Sequence, residues 1–163
     1  MRPPFIVAAT QVNERDARYP GNEQEPMRLD RDLGRAAGLK SGSVHLVQLA
    51  PGQRTSYPHC EETIEEWVFV IDGLVEAWID GELHRMEAGD FAAFPAGTGI
   101  CHTFINDSDA QVTLLVGGDA DRPDNRLFYP FNPERRAQLG EAGWWHDLAY
   151  EPKGDHDGKP RKR

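Results

Sequence analysis

The chain is poor in the residues that cross-link small folds or carry them into membranes. It has two cysteines, Cys60 and Cys101, in 163 residues, so no disulfide framework is implied. No apolar run approaches the roughly 20 residues of a membrane helix. Residues 5–9 are too short to be the apolar centre of a signal peptide. Positive charge is also scarce: 18 Lys and Arg stand against 27 Asp and Glu, a formal net charge of −9. An acidic surface repels phosphate backbones and anionic lipid, so neither nucleic acid nor membrane is expected as a partner. The one basic cluster, residues 159–163, reads as the end of a loose tail. These shortages point to a single cytoplasmic domain with a core large enough to fold unaided.

What the chain does have is a dense series of strand and turn signals. The apolar-rich run 65–71, Asp72-Gly73, the run 74–79, Asp80-Gly81 and the run 82–86 read as two hairpins in series. Asp-Gly favours a type I′ turn, because both central residues take positive φ and the turn's twist matches the strands. Turns at Ala88-Gly89-Asp90 and at 106–109 frame further strands, and residues 44–50 end at Pro51-Gly52. Short strands at this spacing indicate an all-β antiparallel barrel or sandwich. Residues 1–40 read as an irregular, polar extension with one short helix near 31–37, stopped by Gly38. Asn132-Pro133 reads as the start of a short C-terminal helix that ends before Gly140, with Trp144 and Trp145 pinning it down. The expected layout is therefore an extension over 1–40, a barrel core over 41–120, a C-terminal segment over 121–150 and a flexible tail over 151–163.

Parity within the strands sorts the side chains. Glu66, Val68 and Val70 share one face of their strand, and Trp67, Phe69 and Ile71 share the other. A strand apolar on both sides is covered on both sides. The terminal segments or a second subunit would supply the outer cover, so a homodimer is expected. Trp78 lies opposite Val75, Ala77 and Ile79, which suits an outer-layer aromatic.

The residues with chemistry fall in two segments, 58–73 and 89–106. Gly52, His59, Glu61, Glu66 and Gly73 occupy the first; Gly89, Pro95, Gly97, His102 and Asn106 occupy the second. These spacings resemble the two motifs of the cupins, with Glu61 where the second histidine of His-x-His belongs. Two departures remain: the spacer after Gly52 is one residue longer, and two extra residues precede His102. The resemblance covers roughly residues 44–117. The segments TSYPHCE, WIDGELH and DNRLFYP resemble a group of small bacterial single-domain cupins without a settled function, some with names borrowed from sugar-phosphate isomerases.

The resemblance implies a double-stranded β-helix, a jelly-roll-like barrel, with a divalent ion held by His59, Glu61, Glu66 and His102. Two imidazoles with carboxylates suit Mn, Fe, Zn or Ni. Carboxylate in place of imidazole moves the preference away from copper, towards harder ions. Loss of the second histidine is also what decay of a metal site looks like. Against decay, Glu61 beside Glu66 is costly inside a barrel without a cation or a shared proton. By parity Cys60 and Cys101 face away from the metal. If His59 and His102 are cross-strand neighbours, the two thiols lie together on the outer face, as buried fillers. Tyr57, His45, Phe94 and Phe104 are candidates for the pocket lining, and His84 and His156 read as solvent-facing or disordered.

Two readings of function follow. In one, the chain is a metal-dependent enzyme on a small polar molecule, an isomerase or a dioxygenase, with Glu61 as candidate general base. A phosphate-bearing substrate would need a basic grip, for which Arg54 and Arg126 are the candidates. In the other, it is a non-catalytic barrel that binds or senses a small ligand, with metal structural or absent.

Overall fold

A computed structural model describes residues 2–161. The strands are β1 (Arg15–Ala17), β2 (Arg28–Asp32), β3 (Gly42–Leu49), β4 (Cys60–Glu61), β5 (Glu66–Asp72), β6 (Leu74–Ile79), β7 (Glu82–Glu87), β8 (Phe91–Phe94), β9 (His102–Ile105), β10 (Val112–Asp119) and β11 (Leu127–Phe128). Helix α1 spans Leu33–Ala37 and α2 spans Glu134–Gly143. All named pairings are antiparallel. One sheet runs β1-β2-β3-β10-β5-β8 and faces a smaller sheet, β7-β6-β9. Bridges from Arg54 to Ile105 and from His59 to His102 extend the smaller sheet beyond β9. The fold is the expected all-β antiparallel barrel with a short C-terminal helix.

The interior follows the two-residue period. Val47 and Leu49 of β3, Val68 and Val70 of β5, Val75 and Ala77 of β6, Phe104 of β9, and Val112 and Leu114 of β10 fill the space between the sheets. Following the same inward positions towards one mouth of the barrel, the residues turn polar. Val70 and Val68 lead to Glu66, Phe104 leads to His102, and Leu49 and Val47 lead to His45. The period that builds the core thus delivers the chemical groups to one end of it.

Several expectations change. Asp72-Gly73 is not a hairpin turn: β5 pairs with β10 and β8, whereas β6 pairs with β7 and β9. Asp72 lacks the positive φ that a type I′ turn requires, and Gly73 (φ 92) bends the chain from one sheet into the other, packed close on Val112. Asp80 (φ 50) and Gly81 (φ 101) do form the predicted turn. The N-terminal extension is not irregular throughout, because β1 and β2 widen the larger sheet. Helix α1 forms where expected, with the Asp32 side chain accepting from Arg35 N and Gly38 closing it in the left-handed region. Helix α2 starts after Pro133 and is broken at Gly140, which has non-helical angles.

Up to the described limit, the tail is docked rather than loose; Lys162 and Arg163 lie outside the described residues. Lys153 N and Gly154 N donate to Asp80 O, and His156 N donates to Gly81 O. Trp78 is fully buried beneath this strap and donates its indole N–H to His156 O at 2.6 Å. Gly81 and Gly154 approach so closely that a Cβ on either would collide with the other's backbone. His156 is therefore packed, and of the two histidines assigned to the surface only His84 is exposed. Trp144 and Trp145 are both buried and tie the C-terminal segment to the barrel. The outer side of β5 has no such cover among the described residues: Phe69 is 37% and Ile71 44% exposed, and neighbouring Phe91 is 60% exposed. No helix among the described residues is long and apolar enough to cross a membrane.

Candidate metal centre

His59 and His102 face each other across a two-way backbone pairing, His59 N to His102 O at 3.2 Å and His102 N to His59 O at 2.9 Å. That register carries both imidazoles to the same face. Cys60 and Cys101 go to the opposite face, where their sulfurs lie 2.9 Å apart among Trp78, Ile105 and Trp145. Both thiols are buried, and burial together with the neighbouring sulfur pushes Cys101 far above the usual thiol range.

Each ring is fixed by stacking and by a backbone acceptor. Phe94 stacks on His102 at 3.5 Å, and Tyr129 stacks on His59 at 5.5 Å. His59 Nδ1 lies 2.9 Å from Tyr57 O, and His102 Nδ1 lies 3.2 Å from Ile100 O. A carbonyl only accepts, so each Nδ1 carries the proton and each Nε2 is left to act inward. These Nε2 atoms sit 3.5 Å (His59) and 3.1 Å (His102) from Glu66 Oε2. Neither contact is aligned as a hydrogen bond, and Glu66 Oε2 remains a buried oxygen without a partner.

The donor atoms of His59, Glu66 and His102 all fall within 4.8 Å of one another. Ligands about 2.1 Å from a tetrahedral ion stand about 3.4 Å apart, which is the scale of the two His–Glu separations. Second-sphere support is also in place, because each imidazole is oriented through its other nitrogen. The three residues therefore fit a divalent cation, and the orphaned carboxylate oxygen is the atom a cation would satisfy. Without one, a proton takes that role. Burial opposes a charge on His59, but the adjacent Glu66 outweighs it and raises the imidazole to about 10. Burial likewise opposes the Glu66 anion, and the His102 and His59 rings outweigh it, holding the carboxyl well below its usual range.

Glu61 stands beside this triad, outside the set of converging donors. Its Oε1 is 3.8 Å from His59 Nε2, while its Oε2 accepts from Asn125 Nδ2 at 2.7 Å. Burial, then the Glu66 charge, pushes Glu61 up to about 7. The structure thus brings three of the four sequence candidates into ligating range and leaves Glu61 as a neighbouring carboxyl held by an amide.

The triad opens on a chamber of about 230 Å³ bordered by Phe104, Tyr19, Tyr129 and Arg28, among others. This chamber shares Arg28, Glu61, Glu66 and Val116 with a wider vestibule of about 560 Å³, where His45 lies. Phe104 borders the inner chamber and His45 the vestibule; Tyr57 and Phe94 border neither space. Tyr57 is buried against Tyr19 at 3.9 Å, and Phe94 sits behind His102. The two arginines proposed as a phosphate grip do not serve. Arg54 is buried, bound to Glu25 and to Gly158 O, and Arg126 is paired with Glu62. Arg28, Tyr19 and Tyr129 were not singled out from the sequence, although Tyr129 lies in the DNRLFYP segment.

Residues 45–117 match the family described as a cupin domain. A stretch of 65 residues is 35% identical to quercetin 2,3-dioxygenase of Bacillus subtilis (strain 168), covering 39% of this chain and 19% of that protein. A stretch of 90 residues is 32% identical to Protein SchB of Streptomyces halstedii, covering 54% of this chain and 63% of that one. The chain thus spans less than two thirds of either relative. Among solved structures, a sugar phosphate isomerase from a cupin superfamily of Silicibacter pomeroyi superposes with a TM-score of 0.71 at 29% identity, over 96% of both chains. With the barrel, the paired histidines and the sequence match in agreement, residues 45–117 form a cupin domain.

Proposed function

We propose that the protein is a metal-dependent isomerase of a small hydroxycarbonyl compound, with the ion held by His59, Glu66 and His102. The observation that carries this reading is Glu66 Oε2, a buried carboxylate oxygen with no aligned partner, set between two inward-oriented imidazole nitrogens. When bound, a divalent ion such as Mn, Fe, Zn or Ni would supply Lewis acidity towards a carbonyl or hydroxyl oxygen. Glu61 is placed to exchange a proton with a substrate oxygen, since it borders both chambers while Asn125 holds it outside the converging donors. Tyr19, Tyr129 and Phe104 give the inner chamber its aromatic wall. Isomerisation is favoured over oxygen chemistry because the isomerase likeness extends over 96% of both chains, whereas the dioxygenase likeness covers 19% of that protein.

The test is to load the protein with each ion in turn and follow short-chain aldoses and ketoses, free and phosphorylated, by NMR. Interconversion of one pair, lost in Glu61→Gln while metal content is kept, supports the reading. Loss of the ion in Glu61→Gln would make Glu61 a fourth ligand instead. Stoichiometric metal with no turnover would assign the chain to ligand binding.

We also propose a homodimer, on the strength of the open outer sheet face. The register places Leu46, Leu115, Phe69 and Phe91 side by side across four strands, an apolar row without a cover among the described residues. A second copy meeting this face would complete the two-sided burial of β5.

A further inference from the structure

Outside the metal triad, a second group of polar side chains is built into the vestibule. Asp30 of β2 is 1% exposed. Its Oδ1 lies 2.8 Å from His45 Nδ1, and its Oδ2 accepts from Arg15 at 2.6 Å. Arg28 approaches the same carboxylate at 3.9 Å and donates to Thr55 O. Burial opposes the Asp30 anion, but His45 and then Arg15 outweigh it and bring the carboxyl down to about 2. An ionised carboxylate only accepts, so His45 Nδ1 carries a proton, and in the neutral ring the lone pair is on Nε2. None of the described hydrogen bonds involves Nε2. The ring takes the inward parity of Val47 and Leu49 and borders the vestibule together with Glu61 and Glu66.

The register fixes how far apart these groups are. His45 pairs with Val116, and Val116 pairs with Val68, one inward position from Glu66. Two strand spacings and a two-residue offset put His45 and Glu66 about 12 Å apart at Cα. Both side chains point into the same cavity, so the gap between their ends suits a short-chain molecule.

We propose that His45, oriented by Asp30, is a second catalytic residue, the one that moves a proton between substrate carbons. This rests on the isomerase reading above. The positions divide the work: Glu61 stands at the triad, where substrate oxygens would lie, and His45 stands one molecule's length away. His45 Nε2 takes the proton from the hydroxyl-bearing carbon; the C–H electron pair becomes a carbon–carbon π bond, and the carbonyl π pair moves to its oxygen. Glu61 carries the hydroxyl proton to that oxygen. The pair left on the former hydroxyl oxygen then forms the new carbonyl, and the carbon–carbon π pair recovers the proton from His45 at the neighbouring carbon. No electron is gained or lost overall, and no co-reactant is consumed. Asp30 is a positioning residue that selects the tautomer and supports the transient imidazolium.

The experiment uses the Zn-loaded, ¹⁵N-labelled full chain, with glycolohydroxamate as a planar mimic of the enediolate. Long-range ¹H–¹⁵N correlation should show neutral His45 protonated at Nδ1, with an Nε2 signal that moves when the hydroxamate is added. In Asp30→Asn the Nε2-protonated tautomer should gain population. In His45→Gln, metal content should hold. Solvent-deuterium exchange into the aldoses and ketoses should then fall about a hundredfold. An Nε2 signal indifferent to the hydroxamate, or wild-type exchange in His45→Gln, overturns the proposal. If the wild-type protein exchanges none of these compounds, the isomerase reading fails. The Nε2 response then decides alone whether the Asp30–His45 pair faces the ligand.

Discussion

Replacing Asp30 with Asn should make the stability of the protein depend less on acid, by an amount that can be worked out. The Asp30 carboxyl is 1% exposed and held by His45 and Arg15, and it drops from its ordinary 3.8 to about 2. A depressed carboxyl stabilises the fold wherever pH exceeds its unfolded value, and that contribution is lost as pH falls through the folded value. Nearly two units at 1.36 kcal/mol each give about 2 kcal/mol, present above roughly pH 5 and fading towards pH 2. The assay is urea unfolding of metal-free wild type and Asp30→Asn, from pH 7 down to pH 2.5. The wild-type advantage should be larger by about 2 kcal/mol at pH 7 than at the acid end. Other carboxylates titrate in both proteins, so their effects cancel in the difference. A difference that stays constant with pH would refute the assignment of a depressed carboxyl to Asp30.

Three further outcomes follow from the packing. Cys60 and Cys101 are buried, and burial raises the Cys101 thiol, so Ellman's reagent should label neither in the folded chain and both in urea; fast labelling of the native protein would contradict the parity that puts them behind the histidines. Ending the chain at Tyr150 removes the strap over Trp78 with its hydrogen bonds to Asp80, Gly81 and the indole. The loss should be about 3–5 kcal/mol, with red-shifted tryptophan emission, and an unchanged melting temperature would show the strap to be idle. Phe69→Lys with Phe91→Lys should convert a particle of twice the chain mass into a monomer by light scattering without loss of fold, whereas a monomeric wild type would remove the dimer from the account.

Much of the site was legible because two regularities coincide at it. The motif spacing picked out His59, Glu66 and His102, and the two-residue period then put Cys60 and Cys101 on the opposite face, where the structure has them in contact. What stayed hidden depended on distant partners. Asp-Gly at 72–73 looks the same whether the chain folds back within a sheet or crosses to the facing one, and the choice was made by β10 pairing with β5. The strand Arg28–Asp32 carries charged residues on its inward face, so no hydrophobic alternation betrayed it. Its inward polarity makes sense only next to His45, to which Asp30 is bonded. The tail was read as loose because backbone hydrogen bonds and a glycine-to-glycine approach, rather than an apolar stripe, hold it down. Arg54 looked like a free cation until Glu25 and Gly158 claimed it.

The central claim is that His59, Glu66 and His102 hold a divalent ion, and calorimetric titration of metal into the chelator-treated protein tests it most directly. One equivalent should bind to the wild type and raise its melting temperature, with proton release below about pH 10 as the His59 proton is displaced. Glu66→Gln should weaken that binding at least about tenfold. A wild-type protein that takes up no ion, or a Glu66→Gln variant that binds as well as the wild type, would contradict the account.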